Sequence, residues 1–196
     1  SEFVLVPDTA GFTIYDDFLP QRVLKSTWFT GGEYNLNYLS DDNPAEGDFC
    51  ISWTGANLYS FLGFRFPALH DLTQLVQNGY MSNLWMRCNK NNAKYELRFL
   101  DTKTDDPNDH PWRMHYTIDN TKVNWDGSWQ HIQIPLSSFV EGGSYDNGNW
   151  YNPQGKFDWS QIEKFEIGTD NHDLKNIVLD IDDIKVIKPS TNIQKP

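Results

Sequence analysis

Two kinds of side chain are spaced so that they could act together on a ligand: aromatic rings set in polar loops, and charged groups at alternate positions of short apolar runs. Among the rings, Trp28 and Phe29 precede Gly31 and Gly32, and Tyr59 lies between Asn57 and Ser60. Tyr145, Trp150 and Tyr151 sit in a stretch rich in Gly and Asn. A ring so placed offers a flat apolar face to a pyranose, and planar polar groups beside it could hold the sugar hydroxyls. Loops also tuck rings into the ends of β-sandwiches, so each ring has a core reading as well. Alternation supplies the polar groups. On faces opposite the apolar residues of successive runs stand Trp85 and Arg87, then Glu96 and Arg98, then Arg113 and His115, because strand side chains alternate between faces. Such rows also occur as plain solvated surface.

Other chemistries find less support. His70, His110, His115, His131 and His172 show no His-Glu-x-x-His spacing, and no Gly-x-Ser-x-Gly or papain-like cysteine context occurs. The two cysteines, Cys50 and Cys88, allow one disulfide at most; their positions in the alternation put them on opposite faces and argue against it. A retaining glycosidase needs two carboxyl groups about 5 Å apart on one face. The nearest candidates, Asp180, Asp182 and Asp183, have no glutamate and are followed by Lys185 and Val186. Their phase explains them better: Ile177, Leu179 and Ile181 share one parity, Ile184 and Val186 the other, and such a switch predicts a β-bulge. Beside Asp16 and Asp17, a bulge with carboxylates would make an oxygen-rich site suited to calcium, with Asp17 and Asp182 as ligands; solvated edge acids are the competing reading. The acidic loop 101–109 lacks EF-hand order and reads as solvated.

The elements that must position these groups are β-strands. Short apolar alternations bounded by Gly, Pro, Asn and Asp recur through the chain. They predict about ten strands, at 13–18, 47–54, 59–66, 80–88, 95–100, 112–118, 129–135, 164–169 and 177–187 among them, with Pro67 ending the third. One helical turn is expected near Leu69, Leu72, Leu75 and Val76. The order is all-β, not βαβ, as in a sandwich or barrel. Long loops are expected at 31–46, 102–111 and 141–155. The 196 residues suffice for one domain, and net charge −11 argues against nucleic acid and anionic membrane as partners. Aromatic residues number 29 (12 Phe, 9 Tyr and 8 Trp), more than a core of this size requires, so some should face solvent.

The stretch 125–139 is the most specific. It reads Trp-Asp-Gly-Ser-Trp-Gln-His-Ile-Gln-Ile-Pro-Leu-Ser-Ser-Phe, a turn entering a strand and then a proline-bent exit. With Ile-Tyr-Asp-Asp-Phe at 14–18, Phe-Asp-Trp-Ser-Gln-Ile at 157–162, Leu-Asp-Ile-Asp-Asp-Ile at 179–184 and Gly-Asp-Phe-Cys-Ile-Ser-Trp-Thr-Gly at 47–55, it resembles family 11 carbohydrate-binding modules over residues 12–187. The resemblance implies a calcium-stabilised jelly roll, without catalytic machinery, appended to a secreted or bacterial cell-surface polysaccharide hydrolase and binding β-1,4 or mixed β-1,3-1,4 glucan chains. It divides the chain into an extension (1–11), the sandwich (12–187) and a linker or frayed tail (188–196). The cleft rings it implies fall near Trp28 or Phe29, near Tyr59 and at Tyr145. A fourth would fall near Thr169, which carries no ring, and the arginine expected after Ser-Ser-Phe is replaced by Val140-Glu-Gly-Gly. Arg98 and Arg113 are the guanidinium groups that could stand in. The full expected binding set is Trp28, Tyr59, Trp85, Arg98, Arg113, His115, Tyr145, Trp150 and Tyr151. A jelly-roll hydrolase or lyase and a structural or protein-interaction sandwich are the alternatives.

Overall fold

The computed structural model describes residues 5–190. In chain order the elements are β1 (Phe12–Tyr15), β2 (Leu24–Lys25), β3 (Asn35–Ser40), β4 (Cys50–Thr54), β5 (Phe61–His70), α1 (Thr73–Gln77), β6 (Met81–Cys88), β7 (Tyr95–Asp101), β8 (Arg113–Ile118), β9 (Gln130–Pro135), β10 (Val140–Glu141), β11 (Ser144–Asp146), β12 (Asn149–Tyr151), β13 (Ile162–Gly168) and β14 (Val178–Ile187). Two antiparallel sheets form the sandwich. The first runs β3-β4-β14-β6-β9, with β1 beside the second half of β14; the other runs β10-β8-β7-β13-β5-β2; β11 and β12 make a separate hairpin.

Alternation decides which side chains meet between the sheets. Ile51, Trp53, Leu84, Met86, Leu179 and Ile181 face inward from the first sheet, and Leu62, Phe64, Phe66, Tyr95, Leu97, Phe99, Phe165 and Ile167 from the second. Phe99 touches Phe139, Trp159 and Phe165, so the second sheet's half of the core is largely aromatic. Truncating any of these fully buried rings would cost about 3–5 kcal/mol. Trp53, Trp112 and Trp125 are core residues and are unavailable to a ligand.

Several expectations are met and others corrected. The phase switch in the last strand is a bulge: the β14–β6 register shifts between Asp182 and Lys185. Cys50 and Cys88 are free thiols, both buried. Pro67 does not end its strand. Strand β5 continues to His70, because the register against β13 jumps between Lys164↔Arg65 and Ile162↔His70 and leaves the proline outside the ladder. The loop expected over 31–46 holds β3, an edge strand masked by Asn35 and Asn37, and the loop expected over 141–155 holds the hairpin β11-β12. Within the extension, Asp8 pairs with His70 Nδ1 at 2.6 Å and Tyr80 Oη donates to the Thr9 carbonyl, so its described part lies against the sandwich. Of the expected linker only residues 188–190 are described.

Candidate functional site

The outer face of the second sheet collects most of the residues expected to bind. Register places Glu166, Arg98 and His115 side by side across β13, β7 and β8, with Glu96 and Thr117 in the row on one side and Arg113 in the row on the other. Three strand spacings, about 14 Å, separate β8 from β5. A ring-bearing rim stands at each end of this floor.

The floor is a charge network. Arg98 is buried and donates from Nε to Glu166 at 2.6 Å and from one terminal nitrogen to Asp170 at 2.5 Å. Burial works against its charge, and the two carboxylates more than restore it, holding the guanidinium above its ordinary pKa. Gly168 makes room, since a Cβ there would come within 2.9 Å of that nitrogen. Glu96 is half-buried, which works against ionisation, but hydrogen bonds from His115 Nδ1 (2.7 Å) and Thr117 Oγ1 (2.8 Å) prevail and hold its carboxyl below the usual range. Arg113 differs from all of these. Burial drives its pKa down to about 10, the neighbouring Arg98 adds to that, and its Nε is buried without a partner.

At one rim Trp28 bridges to Phe61 and the two rings stack with centroids 6.3 Å apart; the Arg98 guanidinium lies 5.4 Å from the Phe61 centroid. Phe61 is a floor residue that the sequence reading missed, although strand alternation from Leu62 and Phe64 places it outward. Tyr59 stands beside it on a turn, with φ +63°. Thr169, where a fourth ring was looked for, is fully buried: its hydroxyl donates toward the Asn57 and Ser60 carbonyls and accepts from the Ser60 amide, fixing the turn that carries Tyr59. At the other rim Tyr145 and Trp150 pair directly across β11-β12 and so project together. Trp150 lies against Arg113, whose Cζ is 5.3 Å from the ring centroid. Trp28, Tyr59, Tyr145 and Trp150 are each more than half exposed, at 54%, 62%, 58% and 53%, which makes four wide ring surfaces available to a ligand.

Two of the expected rings lie elsewhere. Trp85 is on β6, in the first sheet, stacked on His131 at 4.3 Å on the far side of the sandwich; alternation gives the face of a residue within its strand but not the sheet to which the strand belongs. Tyr151 alternates away from Trp150 and stacks on His110 at 3.6 Å. Asp146 Oδ2 holds His110 Nδ1 at 2.9 Å and Lys103 Nζ at 2.6 Å, so this cluster anchors the hairpin beneath its exposed rings.

The Asp17 and Asp182 carboxylates are engaged by the loop that crosses the first sheet. Asp182 Oδ2 accepts from the Ala45 and Glu46 amides at 2.9 and 3.0 Å, and its Oδ1 from the Asp183 amide at 2.7 Å. Asp17 Oδ1 accepts from the Asp48 and Phe49 amides at 2.7 and 2.8 Å. Gly47, at φ +57°, lets the loop close on Asp17, where a Cβ would strike the carboxylate. Among the described residues no three His, Cys, Asp or Glu side chains are grouped to hold a metal. The amides engage Oδ1 of Asp17 and both oxygens of Asp182, so calcium bound at these two carboxylates would compete with them. Melting in EDTA and in millimolar calcium is expected to coincide; a rise with calcium would show the amides giving way to the ion.

Asp101, at the end of β7, is a strongly perturbed carboxylate beyond this face. It is buried; Oδ2 accepts from the Asp158 amide at 2.9 Å and Oδ1 has no partner. Burial first, with the Asp109 and Asp158 carboxylates adding, pushes its pKa up to about 8. A folded pKa above the unfolded one favours the protonated form. The contribution of Asp101 to stability is therefore full below about pH 4 and is lost as pH rises through 8. Asp101→Asn is expected to raise Tm at pH 9 by roughly 2–4 °C, the shift that 1 kcal/mol produces in a chain of this size, and to do little at pH 4. Equal shifts at both values would remove Asp101 as the cause.

Solved structures of the same shape show the fold. A family 11 carbohydrate-binding module from Clostridium thermocellum, solved in complex with a β-1,3-1,4-mixed-linked tetrasaccharide, superposes with TM-score 0.61 at 16% identity, over 92% of this chain and 97% of that one. A family 30 module superposes with TM-score 0.62 at 16% identity, over 96% and 92%. The family 30 module of a cellulosomal cellulase of C. thermocellum gives 0.59 at 17%, over 92% and 99%. The fold is thus the β-sandwich shared by these modules, as the sequence resemblance implies. The model of carbohydrate binding domain 30 matches residues 12–188, and the chain belongs to that family. It is a non-catalytic carbohydrate-binding module. No curated protein matches it.

Proposed function

We propose that the module binds β-1,4 or mixed β-1,3-1,4 glucan chains laid across the outer face of the second sheet, from Trp28 and Tyr59 to Tyr145 and Trp150. The observation that carries this reading is the pair of exposed ring rims flanking a floor of fixed polar groups. Rings take the apolar faces of the sugars, and the floor takes the hydroxyls at their edges. A chain with net charge −11 suits a neutral polymer, for which no electrostatic attraction is needed. The mixed-linkage tetrasaccharide bound by the similar family 11 module supports the same ligand class. The role follows from the binding: the module holds an attached glycoside hydrolase, secreted or on a bacterial surface, against its polymer.

Affinity electrophoresis in gels containing barley β-glucan, xyloglucan, xylan or galactomannan tests the reading. Retardation by barley β-glucan is the expected result. Retardation by galactomannan alone would replace the ligand class, and migration unchanged in every gel would favour a structural or protein-interaction role.

A further inference from the structure

Outside the ring-bearing face, two turns oppose each other at one end of the sandwich and leave an open cleft of about 570 Å³ between them. The first joins β6 to β7 and is closed by the Ala93 amide, which donates to the Lys90 carbonyl at 3.1 Å. The second lies between β13 and β14 and is closed by the Ile177 amide on the Leu174 carbonyl, also at 3.1 Å, with Asn176 at φ +59°. Two further hydrogen bonds fasten the turns together: the Lys94 amide donates to His172 Nε2 and the Val178 amide to Asn89 Oδ1, both at 2.9 Å. Walls tied at both ends are in place before a ligand arrives.

The groups on those walls are uncommitted. Lys90 and Lys175 line the cleft, and among the described residues neither pairs with a carboxylate, although the chain holds 27 acidic residues against 16 basic ones. Lys103 and Lys185 show the ordinary arrangement, paired with Asp146 and Asp16. Asp173, the acid of the lining, turns Oδ1 back onto the Lys175 amide at 3.0 Å. The side-chain amides of Asn91, Asn92 and Asn176 are equally free of partners among the described residues. No Trp, Tyr or Phe lines the cleft, and both nitrogens of His172 are engaged, so a stretch of glucan has no ring to stack on.

We propose that this cleft is a carbohydrate site separate from the glucan face, taking a single uronic acid residue with its carboxylate on Lys90 and Lys175 and its hydroxyls on the three Asn amides. An ammonium group offers only donors, which suits a carboxylate, while an amide both donates and accepts, as a hydroxyl does. One carboxylate held locally differs from a polyanion, because at physiological salt the field of distant acids is screened beyond about 8 Å. The site does not depend on the glucan reading.

Amide chemical shifts of the full chain titrated with methyl β-glucuronide and with methyl β-glucoside test this, because the two sugars differ only in carboxylate against hydroxymethyl. The glucuronide is expected to move the amides of 89–94 and 172–178 with a Kd of about 1–10 mM, and the glucoside to bind there at least about fivefold more weakly. Lys90→Gln combined with Lys175→Gln should weaken the glucuronide about tenfold. Raising sodium chloride from about 0.02 to about 0.3 M should weaken it in the wild type. Resonances unmoved elsewhere exclude unfolding of the double variant, and its retardation by barley β-glucan should match that of the wild type. Equal binding of the two sugars, shifts confined to the ring-bearing face, no shift at all, or an unchanged affinity in the double variant overturns the proposal. Acetate binding as tightly as the glucuronide overturns the assignment to a sugar. Each of these outcomes leaves wild-type retardation by barley β-glucan, and with it the glucan reading, where it stands.

Discussion

Arg98→Met is expected to lower the unfolding free energy by about 3–5 kcal/mol at pH 8, because it strands the buried Glu166 carboxylate without its cation. The other partner, Asp170, is partly exposed and can return to water, whereas Glu166 cannot. Glu166 should respond by taking up a proton. Its folded pKa in the variant then lies above the unfolded value, so the penalty is small at low pH and grows as pH rises through that raised pKa. Urea midpoints of variant and wild type should therefore diverge more at pH 8 than at pH 4.5. Arg98→Met combined with Glu166→Gln removes both charges and should recover much of the loss, as paired removal of buried ions commonly does. A single variant within 1 kcal/mol of the wild type at both pH values would show that the pair contributes no net stability.

The depth of this network explains why the floor was legible in the sequence and its chemistry was not. Period-2 alternation puts Glu96, Arg98, Arg113 and His115 on outward faces, and β7 and β8 pair as neighbours, so those four do share one surface. Trp85 follows the same rule within its own strand, yet β6 pairs with β14 and β9, and no local pattern announces that. Sheet membership is a long-range property. The bulge near Asp182 was legible because it shifts the phase of the apolar residues themselves. The partners of Asp182 were not, since Ala45 and Glu46 offer backbone amides, which every residue type carries. Thr169 shows the same limit from the other side: a small polar residue at a position where a ring was sought turns out to fix the backbone of the turn that presents Tyr59.

Trp150→Ala and Trp28→Ala should each weaken glucan binding by roughly 30- to 150-fold while leaving thermal stability nearly unchanged. A tryptophan buries about 150–250 Å² when fully covered. About half of each ring is already covered by the protein, so a sugar can cover about 80–120 Å² more. At about 25 cal/mol per Å² that is about 2–3 kcal/mol. Stability should change little because the covered part rests on other surface groups: Trp28 on Phe61, and Trp150 on Arg113 with its Nε1 donating to Asn152 at 3.1 Å. The two rings stand at opposite rims, too far apart to share a partner, so their effects should add in free energy in the double variant. Tyr151→Ala makes the contrast. Its ring lies on His110 beneath the hairpin, so its loss should lower the melting temperature and weaken binding only through a loosened hairpin. Should Trp150→Ala melt early and Tyr151→Ala bind weakly at full stability, the face of the hairpin that meets the glucan would be the opposite one.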